Sequence, residues 1–304
     1  MYNFKKNAKL YIVELDASGA ATNQHSIEIY SDITASQTFD EQGYKTKTLH
    51  NQLALHEYAV VNNANVGNFS FTTPVLNVST IPKLLTLGGE YSSGNLTSFD
   101  TYIQSDNVIY KLTKCIVEGL TFNIERNAVL TMSVSGTTSK INKFGNVGSV
   151  TIPGTPVSVG TKAYTSIDRM NISINGSALD SIASVHVDLK NDVSWYSNNT
   201  VNEAVAGTMM YPGSYVLQGR TLSGSITQFL TSANVDTLVD TSTSAPIIIS
   251  LYNVGYSSTT PILEFNLPST VFTRRLNFEE LINRVYDFRL NSNTITSTIK
   301  YKGA

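Results

Sequence analysis

The sequence predicts a mainly β protein of two tandem domains, each with a short flanking α-helix. Runs of Val, Ile, Tyr, Phe and Thr alternate with polar residues, as is typical of strands that bury one face. One run occurs twice, as YAVVNNANVGNFSFT (58–72) and YVLQGRTLSGSITQF (215–229), and in both a glycine follows the opening tyrosine by nine residues, at Gly67 and Gly224. A glycine inside a strand pattern indicates a bulge or a close backbone approach.

Three further matches follow in the same order and support an internal repeat. Each lies about 155–158 positions from its partner, by subtraction of residue numbers. The matches pair Ser26–Ile29 with Ser184–Val187, Tyr110–Leu112 with Phe265–Leu267, and Leu130–Val134 with Tyr286–Leu290. Shared order and spacing favour a repeat. Repeats are looked for first, since a repeat that is missed leads to the wrong fold. The alternative is chance, since alternating strands of any all-β protein resemble one another.

Glycine and proline mark the boundary between the two repeats. Residues 143–162 hold four glycines and two prolines and almost no charge, a composition typical of a joining segment without a core of its own. We therefore expect a first β domain at 1–142, a Gly/Pro linker at 143–162 and a second β domain at 163–304.

Local signals place the strands. We predict strands at Ala8–Leu15 and Ser26–Ile33, with turn chemistry at Asp16–Gly19. Two alternating strands are expected around the turn at Glu125–Asn127. The segment Asn277–Asn283 fits either a helical turn or the turn of a hairpin, and the sequence leaves these two open.

One helix is expected in each repeat. In the first, Ser79 and Thr80 can cap the helix, Pro82 lies in its first turn, and Gly88 and Gly89 end it. The counterpart in the second repeat is Ser232–Asp240. Helices of about two turns need a sheet to pack against.

Composition indicates a folded protein with few charges. Hydrophobic residues form 41% of 304, charged residues only 14%, and the net charge is −2, so there is no overall basic field to hold nucleic acid. The N-terminus lacks the pattern of a signal peptide, and no apolar run is long enough to span a membrane. We interpret the basic clusters as solvated or interface charges; they are Lys5, Lys6 and Lys9, and Arg274, Arg275, Arg284 and Arg289.

The sequence offers no catalytic chemistry. No glycine-rich phosphate loop, nucleophile elbow or zinc-protease motif is present. Cys115 is the only cysteine, and the adjacent Glu279 and Glu280 would point to opposite faces of a strand. The histidines show no metal-ligand spacing; they are His25, His50, His56 and His186. We therefore predict no catalytic, cofactor-binding or metal-binding residue, and a protein that is not an enzyme.

Several passages resemble bacteriophage tail tube proteins. VGNFSFTTPV followed by VSTIPKLLTLGGEY resembles their strand-then-helix passage, and KCIVEGLTFNIERNAVLTMSVSGTT resembles the strand pair that closes the same domain. SYVLQGRTLSGSITQFL is similar to the corresponding passage of the second repeat. The resemblance implies a β-sandwich or barrel-like domain with a flanking helix. In that family, subunits join their sheets side by side into rings, and the rings stack as a hollow tube for DNA and the tape-measure protein.

The resemblance implies a structural virion protein, assembled in the host cytoplasm, that forms the tail tube through which DNA is delivered. Its expected partners are further copies of itself, the tape-measure protein and passing DNA without specific binding, and the sheath, baseplate and tail terminator proteins. Because the chain carries an apparent second domain, we expect a ring of three chains that mimics a hexamer. Two long polar excursions, Asp40–Leu53 and Asn198–Ser214, are expected to contact neighbouring rings of the stack.

Two other functions fit the sequence. One is a different tail ring or baseplate hub component of the same fold, which would not polymerise into long tubes. The other is a carbohydrate-binding or adhesin β-sandwich, in which exposed aromatic side chains would line a groove; the candidates are Trp195, Tyr196, Tyr211 and Tyr215.

Overall fold

A computed structural model describes residues 8–30, 33–44, 58–75, 80–89, 91–92, 95–125, 128–158, 167–196, 211–235, 244–253, 259–278, 280–291 and 299–301. These residues form twenty strands and one short helix. The first eleven strands and the helix are β1 Lys9–Leu15, β2 Ala21–Ile27, β3 Thr34–Ser36, β4 Phe39–Tyr44, β5 Tyr58–Ala64, β6 Gly67–Pro74, α1 Thr80–Gly89, β7 Tyr91–Ser92, β8 Asn95–Leu96, β9 Phe99–Gln104, β10 Val108–Glu125 and β11 Thr131–Asn146. The remaining strands are β12 Thr155–Pro156, β13 Arg169–Ile174, β14 Ser177–Leu179, β15 Ile182–Tyr196, β16 Ser214–Phe229, β17 Ala245–Tyr252, β18 Leu263–Asn277, β19 Asn283–Leu290 and β20 Ile299–Tyr301.

Most strands join one large mixed sheet, so the mainly β prediction is confirmed. Two series of strands run through this sheet in the same spatial order. The first series is β2-β1-β9-β10-β11-β6-β3, and the second is β14-β13-β17-β18-β19-β16-β15. Taken in chain order, each strand of the first series has its counterpart at the same place in the second. One short parallel pair, β12 with β2, makes the sheet mixed.

The two series share a shift in hydrogen-bond register, which lies between β10 and β9 in the first and between β18 and β17 in the second. Between Leu112 and Cys115, β10 advances three residues while β9 advances two, from Thr101 to Phe99. Strand β18 does the same between Leu267 and Thr270 against β17. These shifts lie 155 positions apart, which agrees with the predicted match of Tyr110–Leu112 to Phe265–Leu267.

The glycine-marked stretch takes different forms in the two series. In the first it is two strands, because the chain leaves the β4–β5 ribbon after Ala64 and enters the main sheet as β6. In the second it is the single strand β16, which pairs with β15 along its whole length. The excursion Asp40–Leu53 begins inside β4, and its residues 45–53 lie outside the described residues, as do 198–210 of the second excursion. Their contact with neighbouring rings stays a prediction.

The first hairpin differs from its predicted bounds. The Asp16 carboxylate accepts hydrogen bonds from the backbone N–H of Ser18 and Ala20, at 2.8 and 2.9 Å, and closes a tight turn. Gly19 has a positive φ of 83°, which suits glycine. Because the turn is short, β2 starts as early as Ala21. It ends at Ile27, so the prediction of a strand at Ser26–Ile33 was wrong.

Helix α1 confirms the first predicted helix. Its apolar side chains, including Ile81, Leu84 and Leu87, are buried against the sheet. Gly88 lies so close to Leu120 that a Cβ there would be 2.6 Å from a leucine methyl carbon. Of the second predicted helix, Ser232–Val235 forms a turn and 236–240 lie outside the described residues.

The sheet curls so that one hydrophobic core serves both series. The Phe69 and Phe99 rings, from strands that are not neighbours in the sheet, meet edge-on with centroids 6.3 Å apart. Phe122 of β10 and Phe265 of β18 meet in the same way at 5.2 Å. A twisted sheet that packs against itself in this manner buries both inner faces. The core therefore runs continuously through both series.

The structure describes part of the predicted linker and the ends of the Asn277–Asn283 segment. Strand β11 extends to Asn146, and beyond it Ile152 packs with Val13, Tyr102 and Ile109 of the first series. Ile152, within the predicted linker, therefore lies against the first series. Asn277 pairs with Asn283, so the described residues between them belong to the turn of the β18–β19 hairpin.

Candidate assembly interface

The two series meet edge to edge through β10 and β15. Residues Gly119–Glu125 pair antiparallel with Ser184–Lys190, and Phe122 lies opposite Val187. Side chains add to the backbone pairing: Thr121 donates to the Asp188 carboxylate at 2.7 Å, and a nitrogen of His186 lies 2.7 Å from the Asn123 amide oxygen. We call this contact the internal seam.

One face of the internal seam is apolar and fully covered. Phe122, Ile124, Val187 and Leu189 are all buried. The Phe122 ring also packs on Phe265 of β18, the counterpart of β10, so β18 covers this face of the internal seam. Burying an aromatic side chain of this size stabilises a fold by about 1.5–3 kcal/mol relative to leaving it exposed.

Two polar residues of the second series hold the end of helix α1. Asn191 donates to the carbonyl oxygens of Gly88 and Val117, both at 2.9 Å. Arg220 donates to the Gly89 carbonyl at 2.5 Å and to the Asn191 side chain at 2.9 Å. The last carbonyls of a helix lack partners within the helix and carry partial negative charge, so a guanidinium there is favourable. Sequence reasoning missed both residues.

The aromatic residues of the carbohydrate-groove alternative belong mostly to this contact between the series. The Trp195 indole donates to the Thr137 hydroxyl at 2.9 Å, and the Tyr215 hydroxyl donates to the Leu96 carbonyl at 2.7 Å. The Lys140 ammonium lies 4.6 Å from the centre of the Tyr211 ring. Tyr196 alone of the four is exposed. The geometry thus uses three of these rings for packing and does not assemble a row of exposed aromatics.

A partly buried carboxyl group lies beside the internal seam. The Thr137 hydroxyl donates to Glu118 at 2.6 Å while accepting from Trp195. Burial raises the pKa of the Glu118 carboxyl, the hydrogen bond from Thr137 opposes this rise, and the carboxylate of Asp192 adds to it.

The raised pKa predicts how Glu118 affects stability. A carboxyl whose pKa is higher in the folded chain stabilises the fold fully below its unfolded pKa, and this contribution is lost as pH rises through the folded pKa. Glu118→Gln should therefore raise the melting temperature at about pH 7.5 and change it less at about pH 4. Thermal unfolding of both chains at the two pH values measures this. Glu125→Gln, at the exposed end of the same strand, is the control; equal shifts at both pH values would contradict the argument.

Strands β3 and β18 each leave an edge unpaired in the part of the chain that the structure describes. Strand β3 pairs with β6 on one side only, and all three of its residues are exposed. Strand β18 pairs with β19 over Thr270–Asn277, while β17 covers its other edge only up to Thr270. Open strand edges with unpaired N–H and C=O groups are ready to pair with another chain.

Exposed apolar side chains concentrate at the open end of β18. Leu276 is 48% exposed and Phe278 77% exposed, and Leu281 and Ile282 of the adjoining turn are exposed as well. Neighbouring exposed apolar residues of this kind mark interaction surfaces more often than scattered ones do. We call these four residues the apolar tip.

The predicted basic cluster near the C-terminus is divided by the fold. Arg275 forms an exposed ion pair with Asp287 at 2.7 Å, and Arg274 and Arg289 are exposed. Arg284 is instead buried and donates to the Tyr286 hydroxyl at 3.0 Å, which corrects its interpretation as a solvated or interface charge. Of the N-terminal cluster, Lys9 is exposed, and Lys5 and Lys6 lie outside the described residues.

Both described histidines and the cysteine lie in structural contacts. His25 lies 2.5 Å from Glu14, which also pairs with Lys83 at 2.8 Å, and His186 belongs to the internal seam. Burial raises the pKa of the Cys115 thiol to about 12, so it is held as an inert thiol. Within the described part of the chain, no group of three or more His, Cys, Asp or Glu side chains could hold a metal ion. His50, His56 and Glu279 lie outside it.

Comparison with known proteins identifies the family. No described helix is long and apolar enough to cross a membrane. Comparison with curated proteins gives no match. The sequence matches the Bacteriophage Baseplate Tube Protein Family over residues 1–304, its whole length. The chain therefore belongs to the bacteriophage baseplate tube protein family and is a non-enzymatic structural component of the tail and baseplate of the phage virion.

Proposed function

We propose that three copies of this chain form one ring of the phage tail tube, with each chain supplying two tube-like domains. The domains would be residues 1–142 and 163–304, joined by 143–162. The observation that carries the proposal is the identical spatial order of the two strand series, joined edge to edge at the internal seam. The common register shift at Leu112–Cys115 and Leu267–Thr270 adds support.

The internal seam supports the proposal of a ring. It joins the edge of a central strand in one series to the outer strand of the next, so the two partners use different surfaces. A contact between unlike surfaces closes into a ring when its rotation divides a full turn. Three chains provide six strand series, and six such units give a channel with pseudo-sixfold symmetry. A ring of six chains would hold twelve series and a much wider channel.

The charge of the chain suits a conduit for DNA. Each lysine or arginine that neutralises a phosphate increases affinity for DNA and slows its movement. The net charge of −2 and the low content of charged residues give no such hold. In this role the ring would contact the tape-measure protein and passing DNA in its lumen, and sheath, baseplate and tail terminator proteins at its outer surface and ends.

We infer that these rings lie at the baseplate end of the tube. The family description carries this placement, since it names a baseplate tube protein. A baseplate ring stacks on unlike neighbours, so purified protein should give single rings or short stacks in negative-stain electron microscopy. Long tubes formed by the chain alone would place it in the shaft of the tail instead.

Native mass spectrometry of the purified ring tests the number of chains. We expect a species of about 99 kDa, three times the 33.1 kDa of one chain. Class averages in electron microscopy should show six lobes in two alternating forms, because the two series differ in sequence. A ring of six chains with true sixfold symmetry would refute the two-domain proposal and leave the tube function standing.

A further inference from the structure

We propose that the ring closes by antiparallel pairing of β18 of one chain with β3 of a second copy, with Leu276 opposite Ala35. This inference rests on the proposed ring and specifies its contact. The pairing would repeat between chains what the internal seam does within one.

Register identifies the two positions. On the acceptor side, Phe122 pairs with Met132 in the first series, and Leu276 pairs with Arg284 in the second. From the shared register shift, both partner strands run six residues, Thr138 to Met132 on β11 and Leu290 to Arg284 on β19. Strand β10 carries one extra residue between Val117 and Gly119, so Leu276 is the counterpart of Phe122.

The donor side follows in the same way. Ala35 pairs with Phe69 in the first series, and Val187 pairs with Gly224 in the second. Phe69 and Gly224 occupy equivalent places, because Phe69 lies opposite Gly136 and Gly224 lies opposite Phe288. Since Phe122 faces Val187 in the internal seam, Leu276 should face Ala35 of the next chain.

Burial distinguishes a used edge from an unused one. In the internal seam Phe122 and Ile124 are buried, whereas their counterparts in β18 and its turn, Leu276 and Phe278, are 48% and 77% exposed. The fold therefore places apolar side chains where an arriving strand would cover them, and no described residue covers them. The hydrophobic effect favours removal of this surface from water.

The polar groups of the two edges are compatible. Strand β3 carries only Thr34, Ala35 and Ser36, so it brings no charge to the edge that holds Arg274 and Arg275. Like charges opposite each other would destabilise the pair. The short, uncharged donor strand suits an acceptor edge that is already positive, and a second copy of this chain is the occupant that carries such a strand in the required order.

A disulfide between chains tests the register. Opposed Cα atoms of antiparallel strands lie about 4.5–5.5 Å apart, within the range of about 4.4–6.8 Å that disulfides span. The double variant Ala35→Cys/Leu276→Cys should give covalently linked chains, up to three per ring, on non-reducing gels after mild oxidation. The control is Ser36→Cys/Leu276→Cys, in which a slip of one residue directs the two thiols to opposite faces. Cys115 is buried and does not interfere.

A second variant keeps the proposal falsifiable if oxidation disturbs the ring. Leu276→Lys should leave a folded chain, because the side chain is half exposed, and should reduce the ring population at least tenfold in native mass spectrometry. Two results together would overturn this contact and leave the proposed function standing. Leu276→Lys would form rings as wild type does, and Ala35→Cys/Leu276→Cys would form rings in which no disulfide links the chains. Wild-type chains that never form a three-chain ring would overturn the proposed function itself.

Discussion

Replacing Phe122 by alanine is expected to lower the free energy of unfolding by about 3–5 kcal/mol, the usual cost of truncating a buried phenylalanine. The side chain is fully buried at the internal seam and packs edge-on against Phe265. Its removal would leave a cavity between the two series, which the paired strands cannot close without losing register. Denaturant unfolding of the unassembled chain, followed by tyrosine and tryptophan fluorescence, measures the change.

The structure offers a matched control for this variant. Leu276 occupies the equivalent place in the second series but is half exposed in the single chain. Leu276→Ala should change the free energy of unfolding by less than about 0.5 kcal/mol, as is usual for surface substitutions. It should nevertheless weaken ring formation. Equal losses of stability in both variants would show that the two edges are covered alike in the unassembled chain.

Gly224→Ala is expected to destabilise the chain by about 3 kcal/mol or more, at the upper end of overpacking effects. A Cβ at this position would lie 2.1 Å from the carbonyl oxygen of His186 and 2.6 Å from the Phe288 ring. The first of these contacts is to backbone in a paired strand, so rotamer changes cannot relieve it. Strands β15 and β16 would have to separate where they are paired on both sides.

Gly219, on the same strand, gives the comparison. A Cβ there meets no atom within 4 Å. Gly219→Ala should therefore be neutral, or stabilise by about 0.4–1 kcal/mol through the reduced entropy of the unfolded chain. Melting temperatures of Gly224→Ala and Gly219→Ala, measured under the same conditions, test whether the close contact at Gly224 causes the loss of stability. A Gly224→Ala chain as stable as wild type would mean that the strand can shift without cost.

Sequence reasoning succeeded where the signal is local. Helix α1 was predictable because its cap, Pro82 and its terminal glycines all lie within ten residues. The β10–β11 hairpin was predictable because its strands alternate with period two around a polar turn. Both signals depend on neighbours in the chain, which a single sequence displays directly.

The strand order supports a repeat, but only one of its four predicted matches, Tyr110–Leu112 with Phe265–Leu267, agrees with hydrogen-bond register. Leu130–Val134 lies four residues out of register from Tyr286–Leu290, and Ser26–Ile29 begins in β2, whose counterpart is β14 and not β15. The glycine match is wrong as well. Gly67 was matched to Gly224, whereas hydrogen-bond register makes Phe69 the counterpart of Gly224. In one series the phenylalanine lies on β6 and the glycine on β11; in the other they are exchanged between β16 and β19. Both series therefore keep a phenylalanine opposite a glycine, but the two residues have exchanged strands. Matching identical residues therefore places the two glycines out of register.

The internal seam could not be predicted. Its strands lie about sixty residues apart, and nothing in either strand specifies the other as its neighbour. Asn191 and Arg220 likewise show no local pattern that assigns them to the end of α1. The open edge of β18 is recognised only by comparison with β10, whose equivalent edge is covered by β15.

Joining both series in one chain has a consequence for the timing of assembly. Strands connected by a short linker meet at an effective concentration that is commonly in the millimolar range, whatever the amount of protein in the cell. In a ring of three chains, the internal seams would form during folding of each chain, and only the three contacts between chains would respond to how much protein has been made. Synthesis level would then act as the trigger for closure, and a newly made chain would wait as a stable one-third arc with one donor end and one acceptor end.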